Sequence, residues 1–115
     1  MWIMVAGPYT TGARTEADRA THLRALNAAA LQLFRKGHVP IVGVNSALHM
    51  LAAAEGLSYE EVMLPLSRAL AERCDAVLRL EGRSAGADAE VAQIQCRGGR
   101  VFRSVAEVPN EMESE

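Results

Sequence analysis

The sequence predicts a three-layer α/β domain built on a parallel sheet of four to five strands. Three observations support this. Short apolar runs alternate along the chain with longer segments of helical periodicity. The runs carry few polar residues, which is typical of strands buried on both faces. Glycine or proline stands at or beside the ends of several runs, and parallel strands joined through helices form right-handed crossovers.

The four apolar runs occupy residues 2–6, 39–42, 75–80 and 100–102. Gly7 follows the first run directly, and the pair at 98–99 turns the chain into the last one. Pro40 lies inside the second run, where its missing N–H predicts an edge position in the sheet. In such sheets ligands bind outside the carboxyl ends of the strands, so the loops after the first and third runs are candidate binding loops.

The segments between these runs predict helices. Thr15 precedes the longest one as an N-cap, and Gly37 ends it after two cations. A shorter helix is expected over residues 47–55, and Ser58 opens a capping box for the next. Pro65 either kinks that third helix or restarts it as a first-turn residue, so we expect a break near residue 64.

Composition indicates one domain over residues 1–108, followed by an acidic, frayed tail at 109–115. The net charge of −2 argues against binding to a nucleic-acid polymer. No apolar run reaches membrane-spanning length and no signal peptide is recognisable, so a cytoplasmic protein with no membrane partner is expected. Cys74 and Cys96 lack metal-type spacing, which predicts buried free thiols and no metal site.

Residues 83–91 combine small side chains with two candidate functional groups. Gly86 allows the backbone to approach a ligand, and Ser84 is placed to cap the next helix or to bind a phosphate. A helix beginning near Ala87 would hold Glu90 in its first turn, where the dipole favours an ionised carboxylate. An ionised carboxylate is what a glycosyl-transferring enzyme needs as its nucleophile. The alternative is that Ser84 only caps and Glu90 only complements the dipole.

Three motifs in this order resemble the nucleoside 2-deoxyribosyltransferase superfamily. They are Gly7-Pro8-Tyr9, Cys74-Asp75-Ala76-Val77 and Ser84-x-Gly-Ala-x-x-Glu90. The resemblance runs from the first strand to the fourth and is strongest to a small bacterial and phage branch similar to the nucleotide N-hydrolases. It implies a flavodoxin/Rossmann-like fold, a homodimer or higher homo-oligomer, a nucleoside or nucleotide substrate, and no cofactor.

The same resemblance implies that Glu90 attacks the anomeric carbon, releases the base and forms a glycosyl-enzyme ester. A second base or water then resolves this ester. Serine at position 84 resembles the hydrolases that act on 5′-monophosphates. The implied substrate-binding residues are Gly7, Pro8, Tyr9, Thr10, Arg14, Ser84, Gly86 and Ala87.

Two of these residues, both in the first loop, keep an alternative open. Arg14 would complete a phosphate site with Thr10 and Thr11, or would be a solvated loop cation. Tyr9 would stack on the base or sugar, or would pack on the sheet edge as a turn residue. Because alanine-rich helices leave a shallow pocket, a neighbouring subunit is expected to close it.

Ser67 is a departure from the family pattern, which has an aspartate at that position to orient the sugar or assist proton transfer. A hydroxyl is no general base near neutral pH. Asp88 is a poor substitute because residues two apart on a helix do not share a face. Position 67 therefore motivates one alternative to the enzyme, a weak or inactive nucleotide-binding module. Another alternative is a flavodoxin-like domain that serves oligomerisation or partner binding and has no small-molecule site.

Overall fold

A computed structural model of the chain describes residues 1–112. The strands are β1 (Trp2–Ala6), β2 (Val39–Ile41), β3 (Ala76–Arg79) and β4 (Arg100–Phe102). The helices are α1 (Glu16–Arg35), α2 (Gly43–Ala52), α3 (Tyr59–Ala71) and α4 (Ala85–Cys96), and a short 3-10 turn covers Val105–Glu107. None of the helices among these residues has the length and apolar character that crossing a membrane requires.

The four strands form one all-parallel sheet in the order β2-β1-β3-β4. This confirms the predicted α/β fold class and is consistent with a three-layer flavodoxin/Rossmann-like fold. The edge position of Pro40 on β2 is also confirmed. Because β1 and β3 are central, residues 3–6 and 76–79 are buried.

Alternate residues of β1 point to two separate cores, one on each face of the sheet. Ile3 and Val5 pack with Leu26 and Leu33 of α1. Met4 and Ala6 face the opposite way, into a cluster with residues of α3 and α4 that include Ala71, Ala87 and Ile94. The helices therefore cover both faces, and the buried sheet forms the middle layer.

The strand order reverses direction at β1 and β3. The chain leaves β1 towards β2 through α1, and it returns across β1 to β3 through α2 and α3. The connections after β1 and β3 therefore diverge, which opens a crevice at the carboxyl ends of these two strands. Tyr9 follows β1 and Ser84 follows β3, so the fold brings both candidate binding loops to the same edge.

Helix α3 runs without interruption through Pro65, and the predicted break near residue 64 is wrong. Proline in a helix removes one hydrogen bond to the carbonyl four residues earlier, here that of Glu61. Both Glu61 and Pro65 lie on the exposed side of α3, so water can satisfy that carbonyl.

Two helices begin earlier than the sequence indicates. Helix α2 begins at Gly43 instead of residue 47. Helix α4 begins at Ala85, because Ser84 is its N-cap and accepts a hydrogen bond from the N–H of Ala87. Asp88 is consequently the acidic residue of the first turn, and Glu90 lies in the second turn. The expected first-turn position of Glu90 is therefore wrong.

The chain beyond β4 is attached to the end of α1. Lys36 Nζ donates to the carbonyls of Val105 and Val108 at 2.6 and 2.7 Å. The N–H of Glu111 donates to the Lys36 carbonyl at 2.7 Å. The frayed tail was expected from residue 109; residues 109–111 instead contact the body of the domain, and 113–115 lie outside the described residues.

The two cysteines are both free thiols in different environments. Cys74 is buried beneath α4, in agreement with the expectation. Cys96 is exposed at the last position of α4, so the expectation of a buried thiol is wrong there. The α-helical spacing turns Cys96 away from the core, which Ile94 enters two residues earlier.

Candidate functional site

A cavity of about 130 Å³ lies at the carboxyl ends of β1 and β3 and is partly open to solvent. Residues from the strand ends and all four helices line it. Most of the wall is apolar, glycine or tyrosine. Its polar members are Glu60, Ser67, Ser84 and Glu90. A cavity of about this size is large enough for a ring-sized organic group.

Glu90 is the buried carboxyl group of this cavity, with 7% of its surface exposed. Burial raises its pKa, because removal from water disfavours the charged form. The hydrogen bond from Ser67 and the positive charge of Arg79 act in the opposite direction. The sequence predicts a carboxylate kept ionised by the helix dipole; desolvation instead dominates at the second-turn position.

Ser67 contacts Glu90 directly. Helices α3 and α4 pack side by side, and the Ser67 hydroxyl donates a hydrogen bond to Glu90 Oε2. No other side chain within residues 1–112 forms a hydrogen bond to this carboxyl group, so Oε1 is available to a ligand. Position 67, singled out as a possible orienting residue, thus lies beside the predicted nucleophile.

Ser84 borders the cavity and caps α4. Its Oγ accepts the N–H of Ala87 at 3.1 Å and retains a hydroxyl hydrogen to donate. The N–H groups of Ala85 and Gly86 precede the first hydrogen bond within the helix. The capping role and a ligand-binding role of Ser84 are therefore compatible, because they use different parts of the hydroxyl.

Gly86 leaves space in the wall of the cavity. A Cβ built at this residue would meet no heavy atom within 4 Å, and the backbone is outside the left-handed region. The glycine is not required for the helix, so its effect is to keep the approach to the α4 N-terminus open. Gly7 has less space around it, because a Cβ built there would lie 3.1 Å from atoms of Leu26 and Leu80.

Tyr9 and Tyr59 form an aromatic pair on the cavity wall, with ring centroids 5.4 Å apart and planes at 44°. The carbonyl of Tyr9 is 2.8 Å from His22 Nδ1, which fixes the loop after β1. Burial raises the pKa of the Tyr59 hydroxyl, and the negative charge of neighbouring Glu90 adds to this. The pair offers a stacking surface beside the carboxyl group.

Other residues of the predicted set lie away from the cavity. Pro8 packs against Gly82, where a Cβ would come within 2.8 Å of its ring. Arg14 is exposed, and its backbone N–H donates to Asp18. Thr10 is exposed at the turn of the same loop, with its carbonyl bonded to the N–H of residue 13. Their substrate contacts stay predictions.

Several residues that line the cavity were not predicted from the sequence to belong to the site. Tyr59, Glu60 and Met63 come from α3, and their pattern indicates only an amphipathic helix. The aromatic residue directly after the Ser58 cap was the one available signal. Nothing local shows that this end of α3 reaches the carboxyl ends of the strands.

Arg79 was also missed, although an arginine at the end of an apolar strand is unusual. Its guanidinium donates to Asp88 Oδ1 at 3.0 and 3.2 Å, to the carbonyl of Gly82 at 2.9 Å, and to that of Leu80. These bonds hold the β3–α4 loop and so position Ser84. The exposed Asp88 therefore pairs with Arg79 and does not assist Glu90.

Together, the fold and the site define a parallel α/β domain with a buried carboxyl group in a cavity at the switch point of its sheet. In comparisons with known proteins, no family model matches the sequence, and no curated protein shows a significant match to it. The resemblance to the deoxyribosyltransferases therefore depends on the motif residues themselves, several of which line this cavity.

Proposed function

We propose that the chain cleaves the N-glycosidic bond of a nucleoside or nucleoside 5′-monophosphate, with Glu90 as nucleophile and hydrolysis favoured over transfer. The observation that supports this most is the state of Glu90. It is a buried carboxyl group that lines a cavity, with Oε2 held by the Ser67 hydroxyl and Oε1 free of hydrogen bonds from other side chains of residues 1–112. A retaining displacement needs one carboxylate oxygen held against the anomeric carbon.

The proposed reaction has two steps. Ionised Glu90 Oε1 attacks the anomeric carbon, and the electron pair of the carbon–nitrogen bond leaves with the base. Water then attacks the same carbon, the sugar–glutamate bond breaks, and the carboxylate is regenerated. The proton lost by water ends on the base or in solvent. Ser67 acts as a positioning residue, because its hydroxyl fixes the rotation of the carboxyl group.

The N-terminus of α4 supports a role for the 5′ end of the substrate. Ser84 retains a donor hydrogen, and the N–H groups of Ala85 and Gly86 precede the first hydrogen bond within the helix. A helix N-terminus favours an anion such as phosphate. A 5′-hydroxyl would use the same donors with less electrostatic gain.

A second candidate is a nucleotide-binding module with little or no turnover. The specific observation is that the residue bonded to Glu90 is a serine, where a carboxylate would supply acid–base assistance. Glu60 is the other carboxylate of the described lining, and it is exposed at the mouth of the cavity.

We further propose that the protein acts in the cytoplasm as a homo-oligomer. The partly open cavity supports the assembly, because a second copy would cover the opening next to Tyr59 and Leu64. Leu64 has 66% of its surface exposed at this position. Light scattering on the purified chain tests the assembly, and a monomer at micromolar concentration contradicts it.

The test of function is base release from nucleosides and their 5′-monophosphates by the wild type and Glu90→Gln. Glu61→Gln is the matched control, because Glu61 is exposed on α3 and does not line the cavity. Release that is lost only in Glu90→Gln supports the enzyme. Ligand-induced thermal stabilisation without release by any variant supports the binding module. If the wild type shows no base release and no ligand-induced stabilisation, both the enzyme and the binding module are contradicted.

A further inference from the structure

The charge of the cavity wall is negative. Among residues 1–112, the lining contains two carboxyl groups, Glu60 and Glu90, and no lysine or arginine. Arg79 is not a lining residue, although its positive charge lowers the pKa of Glu90. Its guanidinium donates hydrogen bonds to Asp88 and to backbone carbonyls. The ring-binding part of the site is therefore complementary to a positive charge.

The aromatic pair provides a second, independent feature of the same kind. Tyr9 and Tyr59 line the cavity with their ring centroids 5.4 Å apart, and aromatic faces attract cations through their quadrupole. Aromatic rings beside carboxylates are a common arrangement for binding quaternary nitrogen. A neutral ring would also stack here, but it would gain nothing from Glu60 or Glu90.

Among the described residues, two hydroxyl groups near Glu90, those of Ser67 and Tyr59, are poor proton donors for a departing base. Ser67 stands next to Glu90 and is a weak acid. Tyr59 is half-buried, and burial raises its pKa above the ordinary value, so its proton is held more tightly. A neutral base that leaves as an anion needs such a donor, and losing it typically costs about 100-fold or more in rate.

Building on the proposed function, we propose that the substrate is an N-glycoside of a cationic base, such as a pyridinium or a 7-alkylpurinium nucleoside. In the first step Glu90 Oε1 bonds to the anomeric carbon, and the carbon–nitrogen pair neutralises the positively charged ring. The base leaves uncharged without a proton. Water then hydrolyses the ester, giving the free sugar, the regenerated carboxylate and one proton released to solvent.

A cationic substrate also favours the ionised form of the Glu90 nucleophile. Burial raises the pKa of Glu90 and favours its uncharged form. A positive ring bound in the same cavity lowers that pKa again, since an adjacent opposite charge favours ionisation. The substrate would thus help to generate the carboxylate that attacks it, whereas a neutral nucleoside would not.

The experiment compares two matched substrate pairs: 7-methylguanosine with guanosine, and nicotinamide riboside with nicotinic acid riboside, whose carboxylate cancels the ring charge. For each compound, kcat/KM is divided by the uncatalysed hydrolysis rate, because cationic bases leave more readily without an enzyme. We expect this ratio to favour the cationic member by about tenfold, and the preference to weaken with added salt.

Glu60→Gln supplies the structural test. It removes one of the two carboxylates and should raise KM for 7-methylguanosine by about threefold, more than for guanosine. Glu61→Gln, an equal charge change one residue along α3 and outside the lining, should alter neither. Equal effects of the two variants would contradict recognition by Glu60.

The outcomes separate this inference from the proposed function. If kcat/KM divided by the uncatalysed rate is higher for guanosine than for 7-methylguanosine, or equal within both pairs, the cationic substrate is overturned. The proposal of N-glycosidic cleavage then still stands. No base release from any of the four compounds or from the nucleotide panel overturns both. Base release that favours the cationic compounds in the wild type and is abolished in Glu90→Gln supports both.

Discussion

The Ser67 hydroxyl donates a hydrogen bond to Glu90 Oε2 and thereby links the middle of α3 to the second turn of α4. The bond stabilises the charged form of a carboxyl group whose burial favours the uncharged form. It also leaves Oε1 without a hydrogen bond from another side chain of residues 1–112. The position and the protonation of Glu90 therefore both depend on a residue of another helix.

Ser67→Ala should weaken any activity that requires ionised Glu90. Loss of the hydroxyl removes an interaction that lowers the pKa, so the pKa rises and the acidic limb of the pH–rate profile moves to higher pH. We expect kcat to fall about tenfold, the size of one hydrogen bond to a charged group. Ser67→Thr retains a hydroxyl and is the control; a pH profile unchanged in Ser67→Ala would refute this role.

Glu90→Gln should stabilise the fold at neutral and alkaline pH. The folded-state pKa of Glu90 is raised above its ordinary value of 4.5. The protonated carboxyl group therefore contributes stability that is fully present below the pKa of the unfolded state. This stability is lost as pH rises through the pKa of the folded state. We expect the variant to gain about 1 kcal/mol in free energy of unfolding at pH 8, a typical gain where a functional residue is replaced.

Urea unfolding at several pH values measures this difference between the variant and the wild type. The difference should shrink as pH falls towards the ordinary pKa of glutamate. Glu61→Gln, on the exposed face of α3, should show no such dependence. A Glu90→Gln variant less stable than the wild type at every pH would mean that the carboxylate is a structural requirement.

Gly86→Ala should obstruct the ligand without harming the fold. The new methyl group meets no atom within 4 Å and projects at the cavity wall, while alanine favours the helix by up to about 1 kcal/mol. We expect unchanged or slightly higher stability and KM about tenfold higher, because the methyl group interferes with close approach to the α4 N-terminus.

Gly98→Ala is the contrasting variant for the same substitution. Its Cβ is also free of contacts within 4 Å, but the backbone φ is +84°, where a side chain is strained. We expect a loss of about 1 kcal/mol in unfolding free energy and an unchanged KM. Thermal denaturation and substrate kinetics on both variants separate the two effects, and a normal KM in Gly86→Ala would contradict the assigned approach.

Lys36→Met should release the segment that follows β4. The ammonium group holds the carbonyls of Val105 and Val108, and its loss leaves both without this donor. We expect destabilisation of about 1–3 kcal/mol and faster amide exchange in residues 105–111. Arg35→Met, a neighbouring exposed cation, is the control; equal exchange rates in the two variants would exclude this anchoring role.

Thiol labelling should distinguish the two cysteines. Burial raises the pKa of the Cys74 thiol to about 11, so very little of it is thiolate at pH 8, and the side chain is also inaccessible. Cys96 is exposed. One thiol per chain should therefore react rapidly in the folded protein and two in denaturant. Removal of the rapid reaction by Cys96→Ser identifies the site, and rapid reaction of both would contradict the burial.

The sequence alone determined the parts of the fold that depend on neighbouring residues. Thr15 and Ser58 are the N-caps of α1 and α3, because a cap is decided within one helical turn. The parallel sheet followed from the alternation of buried runs with helices, and the edge position of Pro40 from its missing donor. Glu90 and Ser84 were identified as candidates through their motif spacing.

Only the tertiary structure decided how these residues meet. Ser67 and Glu90 lie 23 positions apart, and the pairing of Tyr9 with Tyr59 joins the β1 loop to α3. Such contacts arise from the crossing of packed helices, which local periodicity does not encode. Burial is likewise a property of the whole fold. It raises the pKa of Glu90, because desolvation by the surrounding core outweighs the hydrogen bond from Ser67 and the charge of Arg79.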